Sequence, residues 1–179
     1  MDKINSTLSI EQRELLDLHL RYVIEENKTT NLTRITDWET AKILHVEDSL
    51  VGVPFIEKAA QGDYLDMGTG AGFPGIPIAI TTERKTLLAD SVGKKITALN
   101  RMITKLSLEG IVSTFQGRIE DLAKDQPENF SVITARALSS LSSLLELASP
   151  LLKMNGHLIC YKSQDIDDEL IHAKTVCNK

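Results

Sequence analysis

The sequence is short of cysteine, of unbroken apolar runs and of excess positive charge, and each shortage removes a class of protein. Its 179 residues hold two cysteines, Cys160 and Cys177, far apart and without metal-ligand spacing. Neither a disulfide framework nor a zinc site is expected from them. Cys160 lies in an apolar run and reads as a small buried hydrophobe. The opening MDKINSTLSIEQ lacks the apolar core of a secretory signal. No run approaches the ~20 apolar residues that span a bilayer. The expectation is a cytoplasmic protein with no membrane partner, in which the sequon Asn31-Leu32-Thr33 has no meaning.

Net charge is −5, which taken alone disfavours a nucleic-acid partner. The distribution is uneven: residues 1–60 carry 7 basic and 11 acidic side chains, residues 61–179 carry 13 and 14. Between Arg84 and Lys105 stand six basic residues against Asp90 alone. An apolar fraction of 42% and a charged fraction of 25% are ordinary for a globular chain. The length suits one main domain with a small appendage.

There is no internal repeat and no low-complexity tract. Ser9-Ile10-Glu11-Gln12 reads as a capping box opening a helix over about 10–27. Thr36-Asp37-Trp38-Glu39 reads as a second, opening a helix that runs to about residue 50. These helices form an N-terminal cap over 1–60. From 61 to 179, strand-like runs at 63–67, 86–89, 112–116, 131–135 and 157–161 alternate with helical patterns at 76–81, 92–108, 120–124 and 138–152. Such alternation predicts an α/β domain, a parallel sheet with helices on both faces. A sheet of that kind binds ligands at the carboxyl ends of its strands.

The segment YLDMGTGAGFPGIPIAI sits at the first such end and can be read in two frames. Gly70-x-Gly72-x-x-Gly75 is a dinucleotide fingerprint. Asp66-x-Gly68-x-Gly70-x-Gly72 is the acid-plus-glycine loop of S-adenosylmethionine methyltransferases. An acid at the strand end repels a pyrophosphate and suits a ligand whose amino-acid end is cationic, which favours the second frame. Asp90, eighteen residues beyond Gly72, reads either as an acceptor for ribose hydroxyls or as the cap of the following helix. Pro74 and Pro77 fit the first turn of the helix after the loop.

The segments NLTRITDWETAKILHVEDSL, YLDMGTGAGFPGIPIAI, LLADSVGKKITAL, GRIEDL, TARAL and YKSQ, in this order from Asn31 to Gln164, resemble the RsmG (GidB) family of bacterial ribosomal RNA methyltransferases. The resemblance implies a class I S-adenosylmethionine-dependent methyltransferase that methylates guanine N7 in the decoding-centre loop of 16S rRNA. Its partner would be that RNA or the small ribosomal subunit, with the protein a monomer. Carried over by motif, cofactor contacts fall on Gly68 and Phe73, Asp90 and Ser91, Ile119 and Glu120, and Arg136. The adenine would lie at Ile119–Glu120.

Guanine N7 has a lone pair and no proton, so methylating it calls for positioning and electrostatics rather than a general base. The sequence agrees, with TARAL after the fourth strand in place of an Asn-Pro-Pro-Tyr-type segment, and no Pro-Cys pair. Arg136, and Lys162 just past the fifth strand, are the cations aimed at the substrate. On the helix from Val92, Lys94, Arg101 and Lys105 share a face opposite Ile96, Leu99, Ile103 and Leu106. With Lys95 they form the candidate RNA-binding set. His19, His45 and His172 sit in charged helices and read as surface residues, with a role for His45 and Asn31 at the RNA face left open. After HLICYKS only one short amphipathic helix remains. The sheet is therefore expected to have five strands in the order 3-2-1-4-5, lacking strands six and seven of this fold and leaving strand five as an edge. A small-molecule methyltransferase and a nucleotide-binding module with a degenerate site remain the rival readings.

Overall fold

The structure is a computed structural model that describes residues 8–162 and 166–177. Helix α1, Ile10–Thr30, opens on the expected capping box. Gln12 N–H donates to Ser9 Oγ at 3.1 Å, and Ser9 N–H donates back to Gln12 Oε1 at 3.0 Å. The second helix starts one residue later than its reading. Asp37, not Thr36, caps α2 (Trp38–Ala41), because its carboxylate accepts both the N–H and the hydroxyl of Thr40. The helix then widens into a π-helix, Lys42–Glu47, before α3 (Asp48–Leu50) and α4 (Val53–Lys58). Local sequence carries no mark of that widening, and π segments cluster at functional sites.

The strands β1 (Asp63–Met67), β2 (Thr86–Asp90), β3 (Val112–Gln116), β4 (Phe130–Arg136) and β5 (Leu152–Tyr161) form one parallel sheet in the order β3-β2-β1-β4-β5. This is the expected order. β5 is longer than its reading because Leu152 pairs with Phe130 before an irregularity, and regular pairing resumes at His157 opposite Val132. The helices between strands are α5 (Gly75–Thr82), α6 (Gly93–Lys105), α7 (Ile119–Asp125) and α8 (Leu141–Ala148); α9 (Asp167–Cys177) follows β5 and packs on α8. Ser163 and Gln164 of the YKSQ motif lie outside the described residues.

Alternation along the strands divides the core between the sheet's two faces. Tyr64, Leu88 and Val132 join one cluster with α5 and α6, while Leu65, Met67, Ala89, Ile133 and Ala135 join the other with α7 and α8. The first cluster also takes Leu16, Leu20 and Val23 from α1 and Leu50, Val53 and Ile56 from the helices after it. The 1–60 segment thus packs into the same core as the sheet. Cys160, expected to be buried, is half-buried against the second cluster.

Arg84, counted above in a basic stretch, is 8% exposed and is no part of a charged surface. Its guanidinium donates to the carbonyls of Ile56, Ala59, Ala60 and Gly62 and to Ser131 Oγ, at 2.9 to 3.3 Å. Among the described residues no helix is long and apolar enough to cross a membrane.

Candidate active site

The loop after β1 folds back on the end of β2. Gly68, Gly70 and Gly72 have φ of 69°, 61° and 91°, a region that side chains disfavour. The N–H groups of Gly68 and Thr69 donate to the Ala89 carbonyl at 2.9 and 3.0 Å, and Gly70 N–H donates to Asp90 Oδ2 at 3.1 Å. Asp90 Oδ1 accepts from Val92 N–H at 2.8 Å, and Lys95 Nζ lies 3.6 Å from Oδ2. Both readings of Asp90 therefore meet in one carboxylate, which braces the loop and also lines a cavity. That cavity, of about 310 Å³, is bounded by Gly68, Asp90, Ser91, Ile119, Glu120 and Leu138, among others.

Asp66 is placed differently from its reading. Its carboxylate is fully buried and does not line the cavity. Oδ2 accepts from Gly75 N–H at 3.0 Å and Oδ1 from the Thr134 hydroxyl at 2.8 Å, while the Tyr64 hydroxyl lies 2.6 Å from that of Thr134. The acid ties the strand end to the start of α5. Burial pushes its pKa up to about 6, against the opposing pull of these hydrogen bonds.

The histidine reading is also corrected, because His19 is 0% and His45 9% exposed. Both pack on Phe73, itself buried, with ring centroids 4.6 and 4.9 Å away. His19 Nε2 donates to the Ala71 carbonyl at 3.2 Å, and burial lowers its pKa to about 3, so it stands neutral. His45 Nε2 sits 2.8 Å from the Thr33 hydroxyl, and burial, then the Arg136 charge, lowers its pKa. These rings clamp the glycine loop from the N-terminal helices. His172 is exposed, as read, and Asn31 caps α1 with φ of 51°.

Arg136 leaves β4 over the Phe73 ring, 5.8 Å from its centroid. Its Nη1 donates to the Leu44 carbonyl in the π-helix and to Asp48 Oδ2, both at 3.1 Å. With His45, Tyr161, Lys162 and Glu169, these residues line a second cavity of about 730 Å³. Ala137, whose φ of 51° is unusual for a residue with a side chain, borders both cavities. Lys162 Nζ donates to the Ser139 carbonyl at 2.7 Å and pairs with Glu169 at 2.6 Å. Sequence reasoning missed Asp48, Leu44 and Tyr161. Position in the quoted segment ending HVEDSL was the one available pointer to the first two.

The candidate RNA-binding residues do not act alike. Lys94 is exposed on α6, Lys95 turns to Asp90, and Lys105 lies over the Tyr22 ring at 4.8 Å. Arg101 makes a two-pronged pair with Glu26 of α1. The opposite stripe of Ile96, Leu99, Ile103 and Leu106 is buried as read.

The model of the family described as rRNA small subunit methyltransferase G matches residues 12–179. The chain belongs to this family. A Lachnoclostridium phytofermentans protein named ribosomal RNA small subunit methyltransferase G is 39% identical over 93% of this chain and 70% of its own length. A Staphylococcus carnosus protein of the same name is 36% identical over 94% and 71%. Among solved structures, a Corynebacterium glutamicum protein superposes with a TM-score of 0.61 at 14% identity, over 99% of this chain and 84% of that one. A methyltransferase from Thiobacillus denitrificans, in complex with S-adenosyl-L-homocysteine, gives 0.55 at 15%, over 77% and 62%. The chain thus has the class I S-adenosylmethionine-dependent methyltransferase fold. Membership of this family selects the methyltransferase frame of the glycine loop over the dinucleotide frame.

Proposed function

We propose that this chain transfers the methyl group of S-adenosylmethionine to N7 of a guanine in the 16S rRNA of the small ribosomal subunit. The observation that carries the reading is the junction of two cavities at Ala137, one bordered by Gly68 at the start of the glycine loop and one walled by Arg136. The first suits the cofactor. Ile119 and Leu138 offer apolar walls for an adenine, Glu120 an acceptor for its amino group, and Asp90 an acceptor for ribose hydroxyls. Gly68 leaves the loop without a side chain beside it, and Gly70, outside the cavity lining, holds the turn at a positive φ. Phe73 acts from beneath, by holding Arg136 rather than by lining the cavity.

When bound, the cofactor supplies a methyl group already activated on a sulfonium. The acceptor N7 brings its own lone pair, so the chain needs to move no proton. Its task is to bind, orient and exclude water. Arg136 suits this, since a guanidinium can donate to guanine O6 while N7 faces the donor. Lys162 anchors the far wall through Ser139 and Glu169. Lys94 and Lys105 supply charge for RNA phosphates outside the site. The same reading makes the protein a cytoplasmic monomer working on rRNA or the assembling subunit.

Mass spectrometry of digested 16S rRNA, from cells with and without the gene, tests the proposal. One N7-methylguanosine should vanish without the gene, return with the wild-type gene and stay absent with Arg136→Ala. An unchanged digest sinks it. Calorimetry should show S-adenosylmethionine binding and no NAD binding, with Gly70→Val abolishing the former.

A further inference from the structure

The second cavity holds an arrangement that the methyl transfer itself does not require. Arg136 Nη1 is occupied by Leu44 O and Asp48 Oδ2, and no described residue accepts from its Nη2 or Nε. Asp48 Oδ1 likewise has no partner among the described residues, and the Asp48 side chain is 46% exposed. Each ionised carboxylate oxygen accepts more than one hydrogen bond. The pair therefore presents unused N–H donors directly beside unused acceptor lone pairs, in a fixed frame. Three contacts fix that frame. The guanidinium rests on Phe73, its Nη1 is tethered to the π-helix carbonyl, and the Tyr161 hydroxyl on the cavity wall donates to Ser49 O at 2.7 Å.

We propose that the Arg136–Asp48 pair reads the acceptor base, with Asp48 taking the N1–H and 2-amino protons of a guanine whose O6 receives Arg136. This rests on the guanine-N7 reading above and adds how the site selects that base. Along one side of guanine the order is an acceptor at O6, then donors at N1 and the 2-amino group. The protein offers the complement, a guanidinium followed by a carboxylate. Adenine carries a donor at N6 and an acceptor at N1, so each would meet a group of its own kind. A base turned out of the stack into a pocket is commonly read along this edge. The cavity, at about 730 Å³, lies within the usual range of about 300–1,000 Å³ for ligand pockets. N7 lies on the other side of O6 and stays free to face the first cavity across Ala137.

The discriminating substrate is small-subunit RNA with inosine in place of the target guanosine. Inosine keeps O6, N1–H and N7 and lacks only the 2-amino group. Wild-type protein should methylate the guanosine RNA with a kcat/KM about tenfold or more above that of the inosine RNA, the usual worth of a hydrogen bond to a charged group. In Asp48→Ala that ratio should fall to near one, and the equilibrium affinities of the two RNAs should converge in the same way. If Asp48 merely steadied Arg136, the variant would lose activity on both RNAs alike, and an unchanged ratio overturns the inference. Should Asp48→Ala lose cofactor binding, Asp48→Leu, which keeps the side-chain size and offers no acceptor, carries the same comparison, and an unchanged ratio there overturns it equally. Wild-type methylation of the guanosine RNA tests the underlying function separately. With that activity present, a fixed ratio removes only the role given to Asp48.

Discussion

Asp66 carries a titratable group where no solvent reaches it. An unfolded chain releases this proton near the ordinary carboxyl value of 3.8, whereas the native protein holds it until about 6. Between those values the native state binds more protons, so stability falls as pH rises from about 4 to about 6. The expected loss on this account is about 3 kcal/mol. Asp66→Asn keeps an acceptor for Gly75 N–H and cannot ionise, so its stability should miss that decline. Urea unfolding of both proteins at pH 4 and pH 6.5 measures the difference, and a gap that does not change with pH would refute the assignment. At this same residue the location was legible in the sequence and the contacts were not. The acid does stand at the strand end, but it accepts from Gly75 at the start of α5 and from Thr134 of β4, the second a contact from 68 residues away.

At the level of elements, helix α6 shows what patterning can and cannot reveal. Its buried stripe followed from helical spacing alone, because burial depends on the period of the element itself. The fate of its charges did not. Arg101 meets Glu26 from α1, and Lys95 meets Asp90, by tertiary approach that spacing does not encode. The π-helix was hidden for a related reason, since KILHVE reads as ordinary helix until Arg136 takes its Leu44 carbonyl. A prediction follows for RNA binding. Lys94→Ala and Lys105→Ala should each reduce the slope of log affinity against log salt by roughly 0.7, the value of one lost phosphate contact. Arg101→Ala should leave the slope in place, because its charge is already spent on Glu26. Salt titration of binding decides this, and an Arg101→Ala slope that drops with the others would show the pair opening for RNA.

For the molecule as a whole, the parallel sheet and the site's position at the strand ends were legible from alternating elements and a glycine-rich loop, while the strand order came from the resemblance to class I methyltransferases. The integration of the N-terminal helices was not, because His19 and His45 sit among charged neighbours and are buried by Phe73 from a different segment. That shared core predicts a single unfolding event. Trp38, the one tryptophan, lies in the N-terminal helices, while far-ultraviolet circular dichroism reports all of them together with the sheet domain. The two signals should trace one coincident urea transition. Separate midpoints would mean that the helices melt on their own.

Arg84 gives that union an unusual fastener. Ile56 and Ala59 contribute buried carbonyls at the end of α4, the negative pole of its macrodipole, and the guanidinium plugs that pole without a carboxylate partner among the described residues. A cation held by backbone dipoles has no counter-ion to be protonated. Acid that neutralises Glu26 would loosen its ion pair with Arg101, yet leave this joint between α4, the segment before β2 and Ser131 of β4 unaltered. The protein can therefore lose an ion pair between its helices while the scaffold behind it stays closed.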